Sequence, residues 1–265
     1  MLEFHKIESA DEKHDLNECY IKSLVAPMDG MWQTIIANSD YRKITHNGQE
    51  VGYFCSDSDM RLLRLEIFNE FKNEAHFIFS MILDNWGITS AITSTVEPFY
   101  LSLCLDFQKQ ISINSYLFRD HKTIQASLSE FDDLVFRLAD KRKLDELECF
   151  YRENVGGEGS WIRKFLEQRI SLKELFVLIG NQTLLGTGEC IVSRKHPPYA
   201  DVGMVVSKAY RGKGIGTYLL SELKFYCESV DLEPICSCTK ENIASRRAIQ
   251  KAGFISGHRI LDITF

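Results

Sequence analysis

No stretch of the 265-residue sequence is apolar over a membrane-spanning length, and its first residues, MLEFHKIESADEKHD, hold no apolar signal core. No membrane partner is expected, and the expected location is cytoplasmic. The chain also lacks an excess of positive charge, since 31 Lys and Arg stand against 37 Asp and Glu, a formal net charge of -6. A nucleic-acid surface needs the opposite balance, whereas a cationic acceptor is compatible with this one. There is no CxxC among the eight cysteines and no HxxxH or HxH among the seven histidines. The common zinc patterns are therefore missing, and no metal is expected. The cysteines sit singly in apolar contexts, such as GYFC ending at Cys55 and LSLC ending at Cys104. Reduced, mostly buried thiols are expected rather than a disulfide framework.

What is present has room for two modest domains, at roughly 150 residues each. In the first half the apolar spacing predicts a helix over Lys13–Val25, then strands over Tyr41–Ile44, Val51–Cys55 and Leu62–Phe68, with Asn47 and Gly48 as a hairpin turn. It goes on to predict a helix over Ala75–Trp86, a strand over Ile88–Thr95, a helix over Pro98–Phe107 and a strand over Ile111–Phe118. The polar segment His121–Glu130 is a candidate linker. The order of elements then recurs. A strand over Leu134–Leu138, helices over Lys141–Asn154 and Trp161–Ile170, a hairpin turning at Gly180 and Asn181, and a strand over Ala200–Val206 are predicted in turn. STVEPFYLSLCLDFQ, from Ser94, lines up element for element with SCTKENIASRRAIQK, from Ser237, and marks an internal repeat.

The chemistry is expected in VVSKAYRGKGIGTYLLSELKFYC, Val205–Cys227. A strand ends there, and Ile215, Leu219, Leu223 and Tyr226 begin a helical face. Between the two lies RGKGIG, Arg211–Gly216, whose glycines remove Cβ atoms at the turn. Its amides open a helix, where roughly half a positive charge and several unpaired donors collect. With Arg211, Lys213 and nearby Lys208 this is a cradle for a phosphate or pyrophosphate. It is not a P-loop, because Gly214 stands where a hydroxyl should follow Lys213. Nor is it a dinucleotide fingerprint, because the third glycine is missing.

RxxGxG after an apolar strand resembles the acyl-CoA pyrophosphate loop of the GCN5-related N-acetyltransferase (GNAT) family. Downstream, ENIASRRAIQKAGF, Glu241–Phe254, is similar to the family's second signature, NxxSxxxxxKxGF. The resemblance implies an α/β (α+β) fold of tandem GNAT-like domains, each a mixed, largely antiparallel central sheet flanked by helices. It implies residues 1–121 as a degenerate domain, 122–130 as a linker and 131–265 as the acetyltransferase domain. The first copy has NEFKNEAHF, Asn69–Phe77, in place of the cradle, with no glycine and with Glu70 and Glu74 adding negative charge.

By the same resemblance acetyl-CoA is the co-substrate. Met204, Val205 and Val206 would pair with pantetheine through their backbones. Arg211, Gly212, Lys213, Gly214, Ile215, Gly216 and Thr217 would hold the pyrophosphate, and Asn242 and Ser245 would contact the cofactor from the next helix. Asp201 is the first candidate for the base and Glu189 the second. Protein N-terminal acetyltransferases often keep a Glu and a Tyr where this chain has Ser237 and Ile249. The acceptor implied is a primary amine of a small molecule. A protein lysine or N-terminal acetyltransferase and a non-catalytic CoA-binding scaffold are the alternatives, and a homodimer is left open. His196 and Tyr199, in a loop ahead of the cofactor strand, are where an acceptor would be met, and GGEGSW, Gly156–Trp161, is expected as a hinge before a helix and part of a lid.

Overall fold

The computed structural model describes residues 2–156 and 161–265; residues 157–160, the centre of the GGEGSW segment, lie outside it. The chain divides into two units, Met1–Leu117 with His258–Phe265, and Phe118–Gly257.

The first unit runs β1 (Leu2–Lys6), α1 (Ala10–Ser23), α2 (Gly30–Ala37), β2 (Asp40–His46), β3 (Gln49–Ser56), β4 (Leu62–Ile67), α3 (Ala75–Trp86), β5 (Ser90–Ser94) and α4 (Pro98–Phe107), and then enters β6 (Gln110–Asp120). Strands β1 to β4 form antiparallel neighbours, and β4 meets β5 in parallel at Leu62 opposite Ala91. Side chains from both sheet faces are buried. Ile78, Phe79 and Ile82 of α3 pack with Phe54, Leu62 and Leu65, while Trp32 and Ile36 of α2 pack with Tyr41, Tyr53 and Cys55.

The second unit repeats this order as β7 (Val135–Leu138), α5 (Leu144–Asn154), α6 (Trp161–Ser171), β8 (Leu175–Gly180), β9 (Thr183–Val192), β10 (Tyr199–Val206), α7 (Ile215–Ser229), β11 (Glu233–Thr239) and α8 (Ile243–Lys251), before β12 (Phe254–Thr264). Strands β7 to β10 are antiparallel, and β10 meets β11 in parallel. Leu147, Phe150, Ile162 and Leu166 of α5 and α6 cover one face, against Leu175 and Val177. Ile215 and Leu219 of α7 cover the other, against Leu178 and Leu185. Each unit is thus a mixed, mostly antiparallel sheet between helices, as expected.

Several details differ from the sequence reading. The second hairpin turns at Asn181 and Gln182, both with positive φ (50° and 61°), rather than at Gly180 and Asn181. It matches the Asn47–Gly48 turn (φ 51° and 80°), because two consecutive left-handed residues give the twist an antiparallel pair needs. Strands β1 and β12 and helix α2 were not anticipated. The domain bounds that the resemblance implies put the end of the chain in the second domain, whereas His258–Phe265 belong to the first unit, where β12 pairs antiparallel with β5 from Ile260 opposite Ser94 to Thr264 opposite Ser90. The segment 121–130 is irregular but anchored within the second unit. Lys122 N–H donates to the Gly253 carbonyl (3.1 Å), and Leu128 is buried beside Ile215 and Leu219. No helix among the described residues is long and apolar enough to cross a membrane.

Candidate functional site

Strand β10 is paired unequally on its two edges. Against β9 it is matched along its whole length, from Ala200 opposite Val192 to Val206 opposite Gly186. Against β11 the register covers only Tyr199, Ala200 and Asp201. Beyond Asp201 the edge that faces β11 therefore carries backbone groups that pair with no strand among the described residues.

Which residues present those groups follows from parity. Ser207 N–H donates to Leu185 O and Ser193 N–H to Tyr199 O, so the odd-numbered residues of β10 bond to β9 and the even-numbered ones point to the other edge. Met204 and Val206 face the opening. Val205, grouped with them in the sequence reading, lies opposite Thr187 in the ladder and packs its side chain on the α5–α6 face.

The chain then turns through RGKGIG into α7. Gly212 and Gly214 adopt left-handed φ of +82° and +86°, a conformation that strains any residue with a Cβ. The first helical bond is Tyr218 N–H to Gly214 O (3.0 Å), and no side chain caps the helix. Among the described residues nothing accepts from the amides between Arg211 and Thr217, so they form a continuous run of donors at a helix N-terminus.

The side chains of this loop behave differently from its backbone. The Arg211 guanidinium donates to the carbonyls of Asn154 (2.8 Å) and Val206 (3.4 Å). Asn154 Oδ1 in turn accepts from Lys208 N–H (2.6 Å), which ties the loop to the end of α5. Lys213 pairs with Glu130 at 3.1 Å on the surface. Ile215 is buried in the core, and Thr217 Oγ1 donates to Ala248 O of α8 (3.5 Å). A Cβ on Gly216 would fall 2.7 Å from Met204 Sδ and 3.4 Å from Ala248 Cβ, so this glycine serves close packing. Asn242 caps α8, its Oδ1 accepting from Ser245 N–H (3.1 Å), and Ser245 stands one turn before Ala248.

The two candidate carboxylates lie on one face of the sheet. Asp201 and Gly203 alternate along β10, and Glu189 on β9 is directly opposite Gly203. Glu189 Oε2 is 3.7 Å from where a Gly203 Cβ would stand. Tyr151 of α5 donates its hydroxyl proton to Glu189 Oε1 (2.7 Å) and accepts from Thr187 Oγ1 (3.1 Å). Burial pushes the Glu189 carboxyl above its ordinary range, against the hydrogen bond from Tyr151 and the charge of Arg169, which pull it down. Tyr151, Thr187 and Gly203 carry no local signature and were not anticipated. His196 and Tyr199 bracket the turn that leads into β10, of which Tyr199 is the first residue, and Tyr199 N–H donates to His196 O (2.9 Å).

The first unit has the same framework without the glycine-rich turn. A 3-10 turn, Asn69–Glu74, runs straight into α3, and its amides are used internally, Phe71 N–H to Phe68 O and Ala75 N–H to Lys72 O. No residue from 61 to 86 has positive φ. On β4 the interior holds Arg64, which donates to Asn17 Oδ1 (2.7 Å) and lies 3.9 Å from the Tyr20 ring centre. Tyr20 donates to Glu97 Oε1 (2.7 Å), and burial lifts the Glu97 carboxyl to about 7 despite the charge of Arg64.

Residues 9–121 match the model of an acetyltransferase (GNAT) domain, and residues 142–254 match that of the acetyltransferase (GNAT) family. The chain belongs to the GNAT family. It is a tandem GNAT protein of the acyl-CoA-dependent N-acyltransferase class. An acetyltransferase of the GNAT family from Colwellia psychrerythraea has a similar structure over 99% of both chains, at 29% identity and a TM-score of 0.90. Two further structures show the fold alone. One is a GCN5-related N-acetyltransferase from Sphaerobacter thermophilus (12% identity, TM-score 0.65, 99% of this chain and 94% of the other). The other is a tandem GNAT protein from the clavulanic acid biosynthesis pathway (12%, 0.60, 100% and 98%). No curated protein sequence matches the chain. In this tandem GNAT protein the repeat seen from Ser94 and Ser237 corresponds to β5 followed by α4 and β11 followed by α8.

Proposed function

We propose that the second unit transfers an acetyl group from acetyl-CoA directly to a primary amine of a small molecule. The observation that carries this is the open edge of β10 leading into an unbroken row of amides at the start of α7. Pantetheine would bond along Met204 and Val206, and the pyrophosphate would sit on the amides of Arg211 to Thr217. Asn242 and Ser245 would meet the cofactor from α8. The cradle's selectivity for an anion comes from backbone donors and the helix end, since the Arg211 side chain is engaged with two carbonyls.

An amine with a pKa near 10.4 is almost wholly protonated at neutral pH, and freeing its lone pair costs on the order of 4 to 5 kcal/mol. Glu189 is the residue we assign to that proton, with Asp201 as the alternative. Its carboxylate is held over Gly203, next to Met204 of the open edge, and a raised affinity for protons suits a base working near neutrality. The neutral amine then forms its C–N bond to the acetyl carbon as the C–S bond breaks, the nitrogen gives up its second proton, and the CoA thiolate takes up a proton and leaves as the free thiol; an amide on the β10 edge would steady the carbonyl oxygen. Ser237 and Ile249, which replace the Glu and Tyr of peptide-directed relatives, favour a small acceptor over a protein, and the net charge of -6 favours a cationic one. We assign the first unit a supporting role without a cofactor of its own, and a cytoplasmic location.

The test is a panel of small amines and of lysine and N-terminal peptides, assayed with acetyl-CoA for thiol release. Transfer to small amines is expected. Transfer confined to peptides would reverse the acceptor assignment, and calorimetry without heat on adding acetyl-CoA would remove the transferase reading.

A further inference from the structure

Tyr151 is among the most buried side chains of the second unit, and a phenylalanine would fill the same space against Phe150, Phe165 and Leu147. A hydroxyl placed there costs free energy unless it is bonded, and this one is bonded twice, giving its proton to Glu189 and receiving one from Thr187. The two oxygens of Glu189 are thereby made unequal. Oε1 is anchored by Tyr151, while Oε2 accepts no hydrogen bond among the described residues and lies toward Gly203.

We propose that Tyr151, held by Thr187, is a positioning residue that fixes one oxygen of Glu189 so that the other is presented at the opening of β10. This inference rests on Glu189 as the base. Thr187 is two residues from Glu189 on β9, so strand geometry puts both side chains on one face, beneath α5. The remaining groups around the carboxylate do not duplicate the anchor. Arg169 of α6 is committed to an ion pair with Glu174 (2.6 Å), β8 contributes the apolar Leu175 opposite Glu189, and β10 contributes Gly203, with Asp201 further along the same face. A hydroxyl donating to a carboxylate favours the charged form, and a second hydroxyl donating to the first strengthens that donation. Losing either one therefore raises the pH at which Glu189 becomes a base.

The experiment follows the carboxyl carbons of 13C-labelled glutamate by NMR through a pH titration, with Glu189 assigned from its absence in E189Q. In Tyr151→Phe the Glu189 midpoint is expected to move up by about one pH unit, and in Thr187→Val to move in the same direction by less. With butylamine as acceptor, Tyr151→Phe should lower kcat while KM for acetyl-CoA is unchanged, and the acid limb of the rate profile should move with the NMR midpoint. An unchanged midpoint in Tyr151→Phe alongside an inactive E189Q overturns the positioning role and leaves the base assignment in place. Full transfer by E189Q overturns the base assignment, and this inference with it.

Discussion

Glu189 and Gly203 stand opposite each other across the β9–β10 ladder, and the carboxylate occupies the space that a side chain at 203 would need. A single Cβ would sit 3.7 Å from Oε2, an ordinary contact, so Gly203→Ala should keep most activity. Gly203→Val would push the carboxylate from the opening. We expect it to lower kcat about tenfold or more with little change in acetyl-CoA affinity, as read by steady-state kinetics and calorimetry.

Gly212 and Gly214 need left-handed backbone (φ +82° and +86°). Replacing Gly214 with Ala should cost roughly 1 to 2 kcal/mol in the turn and weaken acetyl-CoA binding measured by calorimetry. The Gly212 Cβ position has nothing within 4 Å, so any loss in Gly212→Ala reflects conformation and the ligand rather than a clash in the protein.

Among the described residues, the first unit's turn uses amides internally (Phe71 N–H to Phe68 O, Ala75 N–H to Lys72 O), and no such bond is formed by the amides from Arg211 to Thr217. One acetyl-CoA per chain is the expected stoichiometry, and the same Gly214 substitution should reduce all of the binding heat. A second set of sites that survives it would contradict the supporting role given to the first unit.

The Arg211 guanidinium closes the β10 end onto α5 through Asn154 O (2.8 Å). Arg211→Ala removes a charged hydrogen bond of a kind typically worth about 1.5 to 3 kcal/mol. A lower melting temperature is expected together with weaker cofactor binding. Arg211→Lys should recover little of either, because one ammonium cannot span both carbonyls.

Glu97 gives the first unit a pH-dependent stability. Its carboxyl is lifted to about 7 by burial, above an unfolded value near 4.3. The folded form thus prefers the proton. Its stabilising contribution is complete below about pH 4 and is lost as pH rises from there through 7, by an amount on the order of 3 kcal/mol. Urea midpoints measured from pH 5 to 8 should fall for the native protein more steeply than for Glu97→Gln, which keeps an acceptor for Tyr20. Equal slopes would show that Glu97 is ionised throughout.

Much of the framework was legible because its signals are local. Asn47–Gly48 turns a hairpin through the φ values those residues tolerate, Asn242 caps α8 three residues before the amide it accepts from, and RGKGIG ends a strand and opens a helix within six residues. β12 was missed because its place is set by pairing with β5, more than 160 residues away in sequence, which no local pattern encodes. The short helix α2 escaped because GMWQTIIA is too brief and too evenly apolar to show a periodicity.

Taken alone, the sequence determined that there are two copies of one α/β unit, that one copy carries a glycine-rich turn between a strand and a helix, and where in the chain that turn lies. These follow from residue types and short spacings, which act through backbone sterics and helix-end electrostatics. Tertiary structure alone decided that Met204 and Val206, and not Val205, face the open edge, that Arg211 turns inward to two carbonyls, and that Glu189 lies over Gly203 with Tyr151 behind it. Strand register and helix docking settle those relationships, and both are minimised over the whole core rather than within any one segment.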